Sequence, residues 1–328
     1  MLKLGKKVRN LVFIVEGGIG KNIMGTAVVR ALKKQFPDKD IIVVAGYPDV
    51  FMNNPNVKKV FNFNNPLYFY EDYVNDASCV LKCEPYVNYD YINGNKHLVT
   101  VWCEMLGIKI DGIEPDLYFT PNELKAAEMY VNKITNNKKK DLVFLQWIGG
   151  KTPQDKSPEQ LQACLASMYR RSLTQNVAQS LVDKLKNLDY VVGVVGHENF
   201  PELNNAEKIA FPLRNTLALL KYGKSFIGID SFLQHACAAK QIDVKGLVAW
   251  GGTNPAKLGY DKHANYVIEP QCNNPMCHRP NSYLFDTQTN GNMWDCQHGD
   301  ACMKAFNSGE IMDRFEPILS IAKTIKEE

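Results

Sequence analysis

Two short stretches hold most of the chemistry this sequence could perform. In the first, Glu16-Gly17-Gly18-Ile19-Gly20-Lys21-Asn22 joins the apolar run 12–15 to a segment, 23–34, with apolar residues at helical spacing. That pattern reads as a strand, a tight turn and a helix start. In an open α/β sheet this is where glycines let a ligand approach the backbone and unpaired amides face an anion. The turn is not a dinucleotide fingerprint: Gly17, Gly18 and Gly20 have the wrong spacing, and Asp38 and Asp40 precede the second strand instead of ending it. It is not a P-loop either, because Val15 and Asn22 stand where a glycine and a Ser/Thr are needed. A turn with no ligand is the plain alternative.

The second stretch is Asp230-Ser231-Phe232-Leu233-Gln234-His235, followed by the small residues Ala236, Ala238 and Ala239. The apolar run before it predicts a strand, and Asp230 or Ser231 suits the N-cap of the next helix. Amides at 231–233 could hold a diphosphate, with His235 one turn later on the same side. An ordinary capped helix with a packed histidine explains the same spacing. A third group, Cys272, Cys277, His278, Cys296, His298 and Cys302, is spaced more loosely than the Cys-x2-Cys pairs typical of tetrahedral zinc. That spacing argues against a metal site; if zinc were held, Cys272, Cys277, Cys296 and Cys302 would be the ligands. Cys79 and Cys83 read as incidental.

The elements that must position these groups alternate along the chain. Strands are expected at 40–45, near 57–61, at 142–147, 190–195, 225–229 and 244–250, and helices at 97–106, 123–134, 175–188, 213–222 and 231–240. Alternation of this kind implies parallel sheets and doubly wound domains. The region 63–92, rich in tyrosine and phenylalanine at no clean period, reads as irregular and could be a substrate-facing loop region or simply aromatic loop packing. The polar run Asn136-Asn137-Lys138-Lys139-Lys140 reads as the connection between two domains, and hinge motion about it is the default expectation.

At 328 residues the chain suits two ordinary domains, and a hydrophobic content of 45% with 22% charged residues is that of a soluble globular protein. A net charge of +3 permits an anionic ligand or nucleic acid but requires neither. The apolar run after the basic first ten residues is too short for a signal-peptide core or a membrane span, and nine cysteines, an odd number, fit a reducing compartment. A cytoplasmic protein is expected, with peripheral membrane contact still open.

Five pieces, in order, resemble the heptosyltransferase-like glycosyltransferases of family 9, which have the GT-B fold. They are Gly-Gly-Ile-Gly with the Thr26-Ala27…Ala31-Leu32-Lys33 helix, Asn54-Pro55-Asn56-Val57, Asp230-Ser231…His235…Ala238-Ala239, Gly251-Gly252-Thr253-Asn254-Pro255-Ala256, and the cysteine-bearing segment near Cys302-Met303. The resemblance implies two Rossmann-like domains facing across a cleft, here 1–137 for the acceptor and 138–308 for a nucleotide-sugar donor. The last helix, 309–328, would pack back on the N-terminal domain. It implies an inverting transfer from a nucleotide diphosphate sugar to an acceptor hydroxyl with no cofactor required. By match, Asp230, Ser231, Phe232, Leu233 and His235 become donor-binding candidates, joined by Lys151, Arg170 and Arg171, which fall where the family places a basic residue near phosphate.

There are two departures from the pattern. Phe232 stands where the family has glycine. Lys21 stands where it has the aspartate that deprotonates the acceptor, and a lysine is a poor base near neutral pH. Lys21 could instead hold a phosphate or an anionic acceptor. Glu16, beside the same turn of Gly17, Gly18, Gly20 and Asn22, is the replacement carboxylate, unless it merely pairs with Lys21. Asp49, His97 and Glu104 are weaker candidates. A lipopolysaccharide-core saccharide is the acceptor that the resemblance implies; a hydroxylated DNA base, as in phage-type DNA modification, is an alternative, and a non-catalytic nucleotide-sugar-binding protein is another.

Overall fold

The computed structural model describes residues 2–64, 66–149, 171–268 and 301–326. Its first sheet contains β1 (Asn10–Val15), β2 (Asp40–Ala45), β3 (Lys59–Asn62) and β4 (Ser78–Leu81), all parallel, in the order β3-β2-β1-β4. Parallel neighbours need a crossover, and α1 (Ile19–Gln35) supplies the one between β1 and β2. Short helices α2 (Phe69–Tyr73) and α3 (Tyr89–Ile92) flank β4, and α4 (Leu98–Met105) and α5 (Pro121–Ile134) follow. A Thr120/Glu123 capping box fixes the start of α5.

The second sheet contains β5 (Leu142–Leu145), β6 (Val191–Val195), β7 (Glu207–Ile209), β8 (Ser225–Ile229), β9 (Gly246–Trp250) and β10 (Ala264–Val267), in the order β10-β9-β8-β5-β6-β7. Helices α6 (Gln175–Asn187), α7 (Leu213–Leu220), α8 (Phe232–Ala238), α9 (Pro255–Leu258), α10 (Ala301–Lys304) and α11 (Ser308–Lys326) surround it. Both sheets therefore run outward from their first strand in one direction and then restart on its other side. In each, the order reverses beside that strand, between β1 and β4 and between β5 and β8.

Alternation along β1 sends Leu11, Phe13 and Val15 into one core and Val12 into another. The first of these cores is continuous across the molecule. It joins Phe13 and Val15 with Ile23 and Ala27 of α1, Leu233 and Cys237 of α8, and Phe144 and Phe226 of the second sheet. The opposite face of the second sheet packs on Leu181 and Leu185 of α6 and on Ile311, Phe315 and Leu319 of α11. Among the described residues, the apolar stripe of α11, expected from the sequence to pack back on the N-terminal half, lies against the face formed by β8, β9 and β10.

Side chains also tie the two halves together. Arg214 of α7 donates to both carboxylate oxygens of Glu123, at 2.6 and 2.9 Å, and to the Asp49 and Tyr118 carbonyls. The buried Lys257 of α9 donates to the Ile92 carbonyl at 2.8 Å. The Lys240 amide reaches the Pro115 carbonyl, and the Gln241 side chain accepts from the Leu117 amide and donates to the Asp116 carboxylate.

Candidate active site

The opening turn is built by Gly17 and Asn22. Gly17 has φ +99°, a conformation that favours glycine, and a Cβ there would lie 3.1 Å from the Lys21 side chain. The fully buried Asn22 amide donates to the Gly17 and Gly18 carbonyls, at 3.2 and 2.9 Å, and its oxygen accepts from the Tyr47 amide. Asn22 is therefore a staple of the turn.

Lys21 is not open to an acceptor. Its side chain is 4% exposed and its ammonium donates to Glu84 Oε2 at 2.7 Å. The same ammonium lies 5.2 Å from the Tyr86 ring centroid and 5.5 Å from that of Trp102. An ammonium so placed is held by charge and by ring quadrupoles. Glu16 pairs with Lys82, not with Lys21. Two of the three weaker candidates are occupied too: His97 caps α4 through the Val99 amide, and Glu104 pairs with Lys96.

Glu16 and Lys21 follow β1, while Lys82 and Glu84 follow β4. The reversal point of the first sheet is therefore lined by two ion pairs that bridge its two strands. Glu84 was not among the residues singled out from the sequence. Its strand lies inside the aromatic stretch read as irregular, and 63 residues separate it from Lys21.

Across the molecule, the β8–α8 turn takes shape around Asp230. The Asp230 side chain is buried, which raises its pKa against the pull of nearby Arg171 and of Thr253. The Gly-Gly-Thr-Asn segment after β9 thus serves the Asp230 turn through Thr253, and Asn254 caps α9 by accepting from the Ala256 amide at 2.8 Å. Arg171 Nη1 lies 3.4 Å from the Asp230 carbonyl. Gly149, just past β5, leaves room for this approach, since a Cβ there would sit 3.3 Å from Arg171 Cβ and 3.1 Å from Ile229 Cδ1. Arg171 and Asp230 therefore meet at the second reversal point, between β5 and β8.

The other donor candidates divide by exposure. Ser231 and Phe232 are part-exposed, whereas Leu233 and His235 are buried. The Leu233 amide is already taken by Gln146 Oε1 at 3.2 Å, so the three amides 231–233 are not all open. His235 Nδ1 lies 2.9 Å from the Tyr260 hydroxyl, and its ring edge abuts Gly20, where a Cβ would lie 2.8 Å from Cδ2. His235 is thus a packing contact between the halves. Burial lowers its pKa to about 3, reinforced by His97 and His263, whose rings also flank Tyr260. Burial likewise holds His97 and His263 near about 4. Lys151, Arg170, Cys272, Cys277 and Cys296 lie outside the described residues; Cys302 of that set lies beside Gly251.

Past the ends of β5 and β6 is a shallow, solvent-open depression of about 100 Å³. Trp147, Ile148, His197, Phe200 and Leu203 line it, with Lys208 at its edge. The sequence reading missed it because its walls come from two turns 50 residues apart.

No family model and no curated protein matches the sequence. Solved structures do match, along most of the chain. A family 9 glycosyl transferase from Veillonella parvula has a TM-score of 0.66 at 14% identity, covering 95% of this chain and 97% of its own. The iron-containing dodecameric glycosyltransferase TibC from enterotoxigenic E. coli has a TM-score of 0.61 at 11% identity, covering 98% of this chain and 78% of its own. ADP-heptose lps heptosyltransferase II from E. coli has a TM-score of 0.54 at 13% identity, covering 79% and 90%. Two parallel α/β halves, each with its reversal point beside its first strand and touching at Gly20 and His235, give this chain the GT-B fold of the heptosyltransferase-like, family 9 glycosyltransferases.

Proposed function

We propose that this protein is an inverting glycosyltransferase that moves a sugar from a nucleoside diphosphate sugar to the hydroxyl of a saccharide. One observation carries the reading: a half-buried arginine and the β8–α8 turn meet at the reversal point of one sheet, while carboxylates line that of the other. Contact between Gly20 and His235 brings the two halves together beside these points. In open parallel sheets such crevices are where ligands bind.

In this account the nucleoside end of the donor rests against His197 and Phe200 in the depression past β5 and β6. Its diphosphate faces Arg171 and Ser231. As the sugar–phosphate bond breaks, negative charge grows on the leaving diphosphate, and a fixed guanidinium stabilises that charge more than it stabilises the bound donor. The acceptor hydroxyl attacks the anomeric carbon from the opposite face, the side of the first sheet, and inverts it. The buried Asp230 shapes the turn through Thr253. TibC, solved in complex with ADP-D-beta-D-heptose, supports an adenosine diphosphate sugar as the first donor to try.

The test is incubation with labelled ADP-, UDP- and GDP-sugars, with truncated core oligosaccharide or hydroxymethylated DNA as acceptor. Labelled oligosaccharide with an inverted anomeric centre is expected. Label on DNA alone would refute the saccharide acceptor, and donor binding with neither transfer nor hydrolysis would refute the enzyme.

A further inference from the structure

The geometry points to Glu84 as the group that takes the proton from the acceptor hydroxyl, an assignment that rests on the glycosyltransferase reading above. A transfer of this kind needs a carboxylate with an open side at the reversal point of the acceptor sheet. Two are present, and their settings differ. Glu16 is held at the surface by Lys82, whose own side chain is 55% exposed. Glu16 is 39% exposed, and a pair whose lysine is itself exposed does little to fix the carboxylate.

Glu84 is fixed. Oε2 accepts from the buried Lys21 at 2.7 Å, and Oε1 accepts from the Tyr86 amide at 3.3 Å. Lys21 is in turn set between the Tyr86 and Trp102 rings, so it cannot swing away. The Glu84 side chain nonetheless remains 42% exposed. A carboxylate has about four lone-pair sites, and these two contacts occupy two. The remainder can accept from a hydroxyl on the open side.

The anchor is Lys21, the first-turn neighbour of Gly20, and Gly20 touches His235 in the donor half. The base is therefore tied to a point of the turn that abuts the donor half. Lys21 acts as a positioning residue: it replaces no carboxylate but holds one that arrives from β4.

The step balances as follows. The acceptor O–H gives its proton to Glu84 as its oxygen bonds to the anomeric carbon. The bond from that carbon to the phosphate oxygen breaks, and its electron pair leaves on the nucleoside diphosphate. Glu84 later returns the proton to water.

The experiment compares wild type with Glu84→Gln, Glu16→Gln and the double variant Lys21→Met/Glu84→Gln, which removes the buried charge together with its partner and so guards against misfolding. Release of nucleoside diphosphate from the labelled donor gives kcat, and titration with ADP gives donor-site affinity. Both Glu84 variants are expected to lose about 100-fold or more in kcat, the range of a lost general base, while ADP affinity changes less than about 3-fold. Glu16→Gln is expected to lose less of its rate than either Glu84 variant. An active Glu84→Gln, or a loss confined to Glu16→Gln, overturns the assignment while leaving the transferase intact. A wild type that binds no nucleoside diphosphate and turns over no donor overturns the function and this assignment with it.

Discussion

Gly20→Ala isolates the contact between the two halves, and two opposing effects decide its sign. Gly20 lies in the first turn of α1, where alanine would favour the helix by up to about 1 kcal/mol over glycine. Against this, the added Cβ would lie 2.8 Å from His235 Cδ2 and 3.2 Å from Nε2. Ordinary carbon contacts are about 3.5–4.0 Å, so the ring or the helix must move by more than half an ångström. The ring has little freedom, being buried and held to the Tyr260 hydroxyl at 2.9 Å. Overpacking of a well-filled site costs about 1–3 kcal/mol, which outweighs the helix gain. Gly20→Ala should therefore destabilise by about 1–2 kcal/mol, read as a lower urea midpoint by tryptophan fluorescence. His235→Ala removes the obstacle, and Gly20→Ala in that background should be neutral or stabilising. The coupling in the double-mutant cycle should be at least about 1 kcal/mol. Equal effects in the two backgrounds would show that Gly20 and His235 do not touch, and the facing of the two reversal points would fall with that contact.

Further predictions concern the ties between the halves and the buried histidines. Arg214→Met should cost about 2–3 kcal/mol, below the range for a fully buried broken pair because Glu123 can rehydrate; an unchanged urea midpoint would contradict this. The Arg214 hydrogen bonds hold the Glu123 pKa at about 2, below its ordinary 4.5. That contribution is complete above about pH 4.5 and is lost as pH falls toward about 2, so wild type should lose stability in that window and Arg214→Met should lose less. His97, His235 and His263 are kept neutral, near about 4, 3 and 4, below the ordinary 6.5. The unfolded chain therefore binds protons first, and stability should fall as pH drops below 6.5, by up to about 1.4 kcal/mol per pH unit for each histidine. His97→Asn keeps an N-cap for α4 and should flatten that slope; an identical slope would refute the assignment. Phe200→Ala should weaken ADP binding about 10-fold or more by removing a part-exposed stacking surface, and unaltered affinity would exclude the depression as the nucleoside site.

Much of the fold is legible in the sequence because buried parallel strands are written as continuous apolar runs. β1, β2, β5, β6, β8 and β9 appear at 10–15, 40–45, 142–145, 191–195, 225–229 and 246–250, close to where the runs predict them. The glycine turn and the Asp230-Ser231 turn are legible for the same reason, each sitting at the end of such a run. β4 is not. Ser78-Cys79-Val80-Leu81 is four residues long and buries only Leu81, so it offers neither a run nor an alternation among the surrounding tyrosines. Missing β4 hides Glu84, and without Glu84 Lys21 looks like a free cation where a carboxylate was expected. β7 and β10 are short edge strands and escape for the same reason. His235 shows a different limit. Its spacing from Asp230 suggested a ligand contact, but only the packing of α8 against α1 reveals that its ring faces Gly20.

The central claim is that a nucleoside diphosphate binds where Arg171 meets the β8–α8 turn. Calorimetric titration of ADP into wild type and Arg171→Ala tests it most directly. The account predicts saturable one-to-one binding by wild type and at least about 10-fold weaker binding by the variant, the loss expected for a charge-assisted contact to phosphate. Equal affinities for the two proteins, or no binding of ADP, UDP or GDP by wild type, would contradict it.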